Sequence, residues 1–188
     1  MLKPLGLCFL LSLSLVPTAA QISIAQESGG GSAKATQVLL AQLECMNLSS
    51  LYAHAFDFNQ AAKLMDVFAE NGGLTLSIAE LRGATAIVEF ANKRAVEMES
   101  GEFTGSRGNA RVAVVGQHVI TNFQFEMIDA AHAKGSAYLT LLMWPANEKR
   151  VNSLSPSLAG YFDDKYILTQ NGWRIDSRVL RSVRSGML

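Results

Sequence analysis

Between residues 36 and 56 the apolar positions Leu40, Leu43, Leu48, Leu51, Tyr52 and Ala55 recur at helical spacing and predict an amphipathic helix. A second, short helix is expected over 59–68, and Glu70-Asn71-Gly72-Gly73 then breaks the pattern, as paired glycines after a helix do. Residues 74–78 read as a short strand and 85–98 as a third helix. After residue 110 the period drops to two, predicting strands over 111–129, 134–145, 157–170 and 172–183. Residues 129–135 and Gln170-Asn171-Gly172 are the turns, the second holding the Asn-Gly pair favoured in two-residue hairpins. Helices first and long antiparallel strands afterwards define an α+β fold. The arrangement expected is a strongly curved antiparallel sheet wrapped around the N-terminal helices, with a pocket between them.

The strand over 117–127 carries the most chemistry. Strand alternation puts His118, Ile120, Asn122, Gln124 and Glu126 on one face and Val119, Thr121, Phe123, Phe125 and Met127 on the other. A polar stripe on a sheet either meets solvent or lines a cavity, and His118 is the only one of three histidines on such a strand. The opposite face is too apolar to stay solvated, so a homodimer or higher homo-oligomer is expected to cover it.

At 188 residues, with 49% apolar and 17% charged positions, the chain fits one globular domain with a sizeable core. Its first residues stand apart from that core. Lys3 precedes a Leu-rich apolar run over 5–16, and Pro17-Thr18-Ala19-Ala20 offers small residues for cleavage, with Ser23-Ile24-Ala25 as a second site. Residues 1–25 therefore read as a signal peptide, and a secreted or periplasmic location follows. The run is shorter than the roughly 20 residues that span a bilayer, so no stable membrane anchor is expected after processing. Residues 26–35, with Gly29-Gly30-Gly31, read as a flexible linker, and 36–184 as the domain. Removing Lys3 with the signal leaves fifteen basic against sixteen acidic residues, a balance that argues against nucleic acid as a partner. Arg174, Arg178, Arg181 and Arg184 alternate with apolar residues and look like edge decoration rather than a phosphate track. Cys45 alone remains in the processed domain, which excludes an internal disulfide, and the histidines show no usual metal-ligand spacing. No metal and no cofactor are expected.

Five segments occur in order: Tyr52-x-x-x-x-Asp57, residues 61–68, Gln117-His118-x-x-x-Asn122, Gly160-x-Phe162-x-Asp164 and Gly172-Trp173-Arg174-Ile175-x-x-Arg178. Together they resemble the SnoaL-like branch of the nuclear transport factor 2-like superfamily over nearly all of 36–183. That resemblance implies a cone-shaped α+β fold shared with scytalone dehydratase and bile acid 7α-dehydratase. It also implies site roles. Tyr52 would donate a hydrogen bond to a substrate oxygen, His118 would be the general acid/base, and Asp57 would orient its imidazole. Asn122, Arg178 and Tyr138 would contact substrate, Arg178 through an anionic group. Histidine titrates near neutral pH, a carboxylate fixes its tautomer, and a phenol can stabilise an enolate, so the residue types suit the chemistry.

Each residue also has a structural reading. Tyr52 could be a core residue, Asp57 a cap or first-turn acid of the next helix, and Arg178 a sheet partner of Asp164 or Asp163. The strand over 137–144 departs from the dehydratase pattern, carrying neither a second histidine nor an obvious second acid. Two functions are therefore carried forward. One is a cofactor-independent lyase (dehydratase) or isomerase acting on a small apolar hydroxy or carbonyl compound by histidine acid/base catalysis. The other is a pocket protein that binds such a small molecule without turning it over.

Overall fold

A computed structural model describes residues 28–100, 104–107, 110–145 and 155–183. The expected signal peptide, residues 1–25, lies outside the described residues. The chain divides between Gln37 and Val38, and the packing described below belongs to the unit that begins at Val38.

Helix α1 spans Ser28–Asp57, so residues 28–35, expected as linker, are helical. Ala33, Lys34 and Ala35 are good helix formers, and extending an existing helix needs no new nucleus. A short 3-10 helix, Ala61–Asp66, stands where the second helix was expected. It leads into β1 (Phe68–Leu76) and β2 (Ala79–Arg82), a hairpin of which only residues 74–78 were anticipated. Helix α2 covers Ala84–Glu99. Then come β3 (Thr104–Arg107), which no pattern foretold, β4 (Ala110–Met127), β5 (His132–Pro145), β6 (Ser155–Thr169) and β7 (Gly172–Ser182). The seven strands form one sheet in the order β2-β1-β7-β6-β5-β4-β3. The α+β class and the curved, open sheet behind N-terminal helices agree with expectation. One pairing departs from the antiparallel rule, because β1 runs parallel to β7.

The glycines at 72 and 73 do not break a helix; they sit inside β1 at a shift in its register with β7. A Cβ on Gly72 would lie 2.8 Å from the Ile175 carbonyl oxygen, so glycine is what lets the two backbones meet.

The buried stripe of α1 is Ala41, Cys45, Leu48, Tyr52 and Ala55, spaced three and four residues apart. Leu40 and Leu43, expected in the core, are exposed. Small residues at 41 and 45 let the helix approach the sheet closely, which turns the larger leucines outward. From the sheet, Ala133, Leu139, Phe162, Tyr166, Trp173 and Ile175 complete this core.

Two bulges decide which strand residues face inward. On β4, Thr121 pairs with Tyr138 and Gln124 with Ser136, so Asn122 and Phe123 together oppose Ala137. Asn122 sits at φ 54°, the left-handed region that asparagine tolerates. The extra residue reverses the alternation. His118 and Ile120 face inward before it, and Phe123, Phe125 and Met127 pack against the core after it. Asn122, Gln124 and Glu126 are exposed, so the predicted polar stripe does not exist as one face. The predicted apolar back face does not exist either, which removes the argument for a dimer built on it. On β7 the pairing of Lys165 with Ser177 and Tyr166 with Ile175 leaves Asp176 extra, and Trp173, Ile175, Arg178 and Leu180 all turn inward.

Candidate functional site

Asp57 ends α1, and His118 lies on β4 beyond the stretch that β3 covers, Ala110–Ala113. The His118 backbone N–H therefore has no strand on that side. It donates instead to both Asp57 carboxylate oxygens, at 3.1 and 3.0 Å. The same carboxylate takes the ring Nδ1 at 2.6 Å. Because an ionised carboxylate only accepts, the bond places the ring proton on Nδ1 and leaves Nε2 as the basic nitrogen. Nε2 has no partner among the described residues. The pair is mostly sheltered, with side-chain exposures of 17% for His118 and 10% for Asp57.

Five residues before Asp57 on the same helix, Tyr52 sets its ring edge-on to the His118 ring at 5.8 Å. Phe56 packs against both rings, 4.9 Å from Tyr52 and 5.9 Å from His118. Burial raises the Tyr52 phenol well above its ordinary value, the Arg178 charge opposing and the Asp164 and Asp57 charges adding to the rise. The phenol thus stays protonated, and its hydroxyl has no protein partner among the described residues.

Tyr52, Asp57 and His118 converge on one cavity of about 160 Å³ between α1, α2 and the concave sheet face. The rest of its wall is largely apolar, with Phe90 and Met98 from α2, Leu139 and Leu141 from β5, and Leu158 from β6. The other three expected contacts are elsewhere. Asn122 is the exposed bulge residue. Tyr138 is 57% exposed on the outer face, because its position opposite Thr121 points away from the core. Arg178 is fully buried beneath the cavity wall, not at the edge.

The Arg178 site is a closed ion pair. Its Nε and Nη2 donate to Asp164 at 2.9 and 2.7 Å, and Nη2 also donates to Ser49 Oγ at 2.7 Å. Tyr166 donates to Asp164 at 2.8 Å. The guanidinium stacks 4.6 Å from the Tyr52 ring and 4.3 Å from the Phe162 ring. Burial by itself disfavours the Arg178 charge, but the Asp164 carboxylate more than offsets that and holds the group charged. Of the guanidinium nitrogens, Nη1 alone lacks a partner among the described residues. An arginine so enclosed supports Tyr52 from behind rather than receiving a substrate anion.

Sequence reasoning missed Asn59, Ser77, Arg94 and Gly116, which all line the cavity. Arg94 pairs with Glu97 at 3.0 Å. Its signal was present: Ile87, Ala91, Arg94 and Met98 share one helical stripe, so a charge stood on the inward face of α2. Among the described residues no three His, Cys, Asp or Glu side chains cluster as metal ligands would, and no helix is long and apolar enough to cross a membrane.

The model of the SnoaL-like domain matches residues 37–179. The chain belongs to the SnoaL-like domain family. Solved structures agree on the fold. An NTF2-like protein with a cystatin-like fold from Novosphingobium aromaticivorans superposes with a TM-score of 0.67 at 14% identity, covering 86% of this chain and 94% of that one. LinA gives 0.62 at 18% identity, covering 81% and 95%. A candidate scytalone dehydratase from Novosphingobium aromaticivorans gives 0.57 at 15% identity, covering 79% and 89%. Identities this low speak for the SnoaL-like fold alone. Among curated proteins none matches the chain.

Proposed function

We propose that this SnoaL-like domain is a cofactor-independent lyase or isomerase acting on a small apolar hydroxy or carbonyl compound. The observation that carries the reading is the 2.6 Å Asp57–His118 pair at the wall of an apolar cavity. Nε2 of His118 takes a proton from a carbon next to the substrate carbonyl, and Asp57 stabilises the imidazolium that forms. The Tyr52 hydroxyl donates to the carbonyl oxygen as negative charge develops there. In a dehydration the imidazolium returns its proton to the departing hydroxyl, which leaves as water. In an isomerisation it returns the proton to a different carbon. The name of the candidate scytalone dehydratase fits a catalytic reading of the fold without fixing the reaction.

The test is a screen of hydroxylated ketones and aldehydes for loss of water or double-bond migration, followed by His118→Ala on any substrate found. Turnover should fall about 10²- to 10⁴-fold with the fold intact. Turnover unchanged in that variant would refute the mechanism. One observation favours a second reading, binding without turnover. The inward residues of β5 beside the dyad are Leu139, Leu141 and Met143, so that strand supplies no second acid. On this reading the screen gives ligands and no products.

We further read residues 1–25 as an export signal, which supports a secreted or periplasmic site of action. N-terminal sequencing of exported protein checks it, and an uncut Met1 would overturn it.

A further inference from the structure

The dyad does not stand at the end of a blind pocket. A second cleft of about 390 Å³ shares Asp57, Asn59, Met98 and Gly116 with the apolar cavity, so Asp57 stands where the two spaces meet. Gly116 is one of the four residues that border both spaces. It faces inward two residues before His118, and a Cβ there would lie 3.4 Å from Leu141 Cδ1 and 3.5 Å from the Leu142 carbonyl oxygen. Any longer side chain would project into the shared space.

The two spaces differ in character. The inner one is mostly aliphatic and aromatic. The outer one adds the carboxamide of Gln117, the Glu99 carboxylate and the aromatic rings of Phe58 and Trp144. Phe58 is 61% exposed, an aromatic side chain that the core does not use. Asn59 and Glu99 both line this cleft, and Asn59 Nδ2 donates to Glu99 Oε1 at 3.3 Å. Charge decides what can lie there. The outer cleft is lined by two carboxylates, Asp57 and Glu99, and by no lysine or arginine among the described residues. A carboxylate or phosphate end would meet like charge, whereas a cationic end would find Glu99 and aromatic faces, and a neutral amide or hydroxyl end would find Asn59 and Gln117.

We propose that the ligand is an elongated amphiphile, with its apolar body in the inner cavity and an uncharged or cationic polar end in the outer cleft. Reaction then occurs at the waist between them, beside His118. This rests on the inner cavity being the substrate site, as proposed above.

Calorimetric titration with four probes tests it: a naphthol, and the same ring carrying a short methylene chain that ends in a carboxamide, a trimethylammonium or a carboxylate. The carboxamide and trimethylammonium compounds should bind roughly tenfold or more tighter than the bare ring, and the carboxylate compound should gain nothing. Trp144→Ala and Gln117→Ala, each checked by circular dichroism, should each reduce the ratio of tailed to untailed affinity. Gly116→Val should abolish it. Bare-ring binding with no gain from either tail, a preference for the carboxylate tail, or a gain that survives both Trp144→Ala and Gln117→Ala would overturn the proposal while leaving the inner cavity as a site. If the bare ring itself fails to bind, the reading of the inner cavity falls and this proposal with it.

Discussion

His118 offers two ring nitrogens, and the fold engages one of them. Asp57 binds Nδ1 and also the His118 backbone amide, so one carboxylate fixes both the tautomer and the position of the strand that carries the ring. This double attachment separates two roles that a substitution can report. Asp57→Asn keeps an acceptor oxygen for the N–H donors but loses the charge that stabilises the imidazolium. It should lower kcat by less than His118→Ala does, with KM little changed. Asp57→Ala removes both attachments and should also lower Tm. Tyr52→Phe keeps the ring packed against Phe56, Phe162 and Arg178 and removes only the hydroxyl. On a substrate found by the screen it should reduce turnover roughly 10- to 10³-fold if that donor faces the developing oxyanion. Steady-state kinetics on the three variants, with melting curves alongside, resolve these effects. Equal losses of kcat and Tm across all three would assign the trio a structural role only.

At the scale of elements, the two acidic neighbours on β6 make a contrast that alternation creates. Asp164 points inward to the Arg178 pair, with both side chains at 0% exposure, while Asp163 points outward to Arg181 at 3.6 Å with both more than half exposed. Removing one member of a buried pair leaves the other charge desolvated and unmatched. Asp164→Asn should therefore destabilise the domain by about 3–5 kcal/mol, against less than about 0.5 kcal/mol for Asp163→Asn. Urea unfolding of the two variants measures the difference, and comparable midpoints would show that Arg178 finds other compensation. The same strands show what the sequence discloses and what it conceals. Helix-then-strand order was legible because periodicity is a local property, whereas the meeting of Tyr52, Asp57 and His118 was implied only by the family resemblance of the five segments, since Asp57 and His118 stand 61 positions apart. The bulges at Asn122 and Asp176 were not legible, since an inserted residue leaves the apolar period of each half intact and changes only their relative phase. That phase moved Phe123, Phe125 and Met127 into the core and carried Arg178 from the edge to the interior. Nor could spacing within α1 show that Ala41 and Cys45, rather than Leu40 and Leu43, face the sheet, because the choice depends on how closely the sheet approaches.

The whole molecule has a pH limit written into its interior. Three weak acids are kept neutral in the core. Burial pushes the Cys45 thiol up to about 12, with the charges of Glu44 and Asp164 adding to the effect. Burial likewise raises the Tyr52 and Tyr166 phenols far above their ordinary values, with Asp164 adding to both and Arg178 opposing. The unfolded chain ionises these groups at their ordinary values, near 9 for the thiol and 10 for the phenols. Above those values the unfolded state binds fewer protons than the native state, so stability falls as pH rises. The stability that the neutral groups confer is fully present below pH about 9 and is lost progressively on the alkaline side, for Cys45 across the window from about 9 to about 12. Urea midpoints should be level with respect to these three groups near neutrality and drop through that window. Tyrosinate absorbance from the two buried phenols should rise together with loss of the near-ultraviolet circular dichroism signal, not before it. Cys45 should resist a thiol-specific alkylating reagent in the native protein and react once urea unfolds it. Tyr52→Phe supplies the control, since its hydroxyl has no protein partner among the described residues: the variant should match the parent near neutral pH and lose less stability in alkali. If the parent and Tyr52→Phe decline with the same slope, ionisation of the buried phenol is not what limits the fold at high pH.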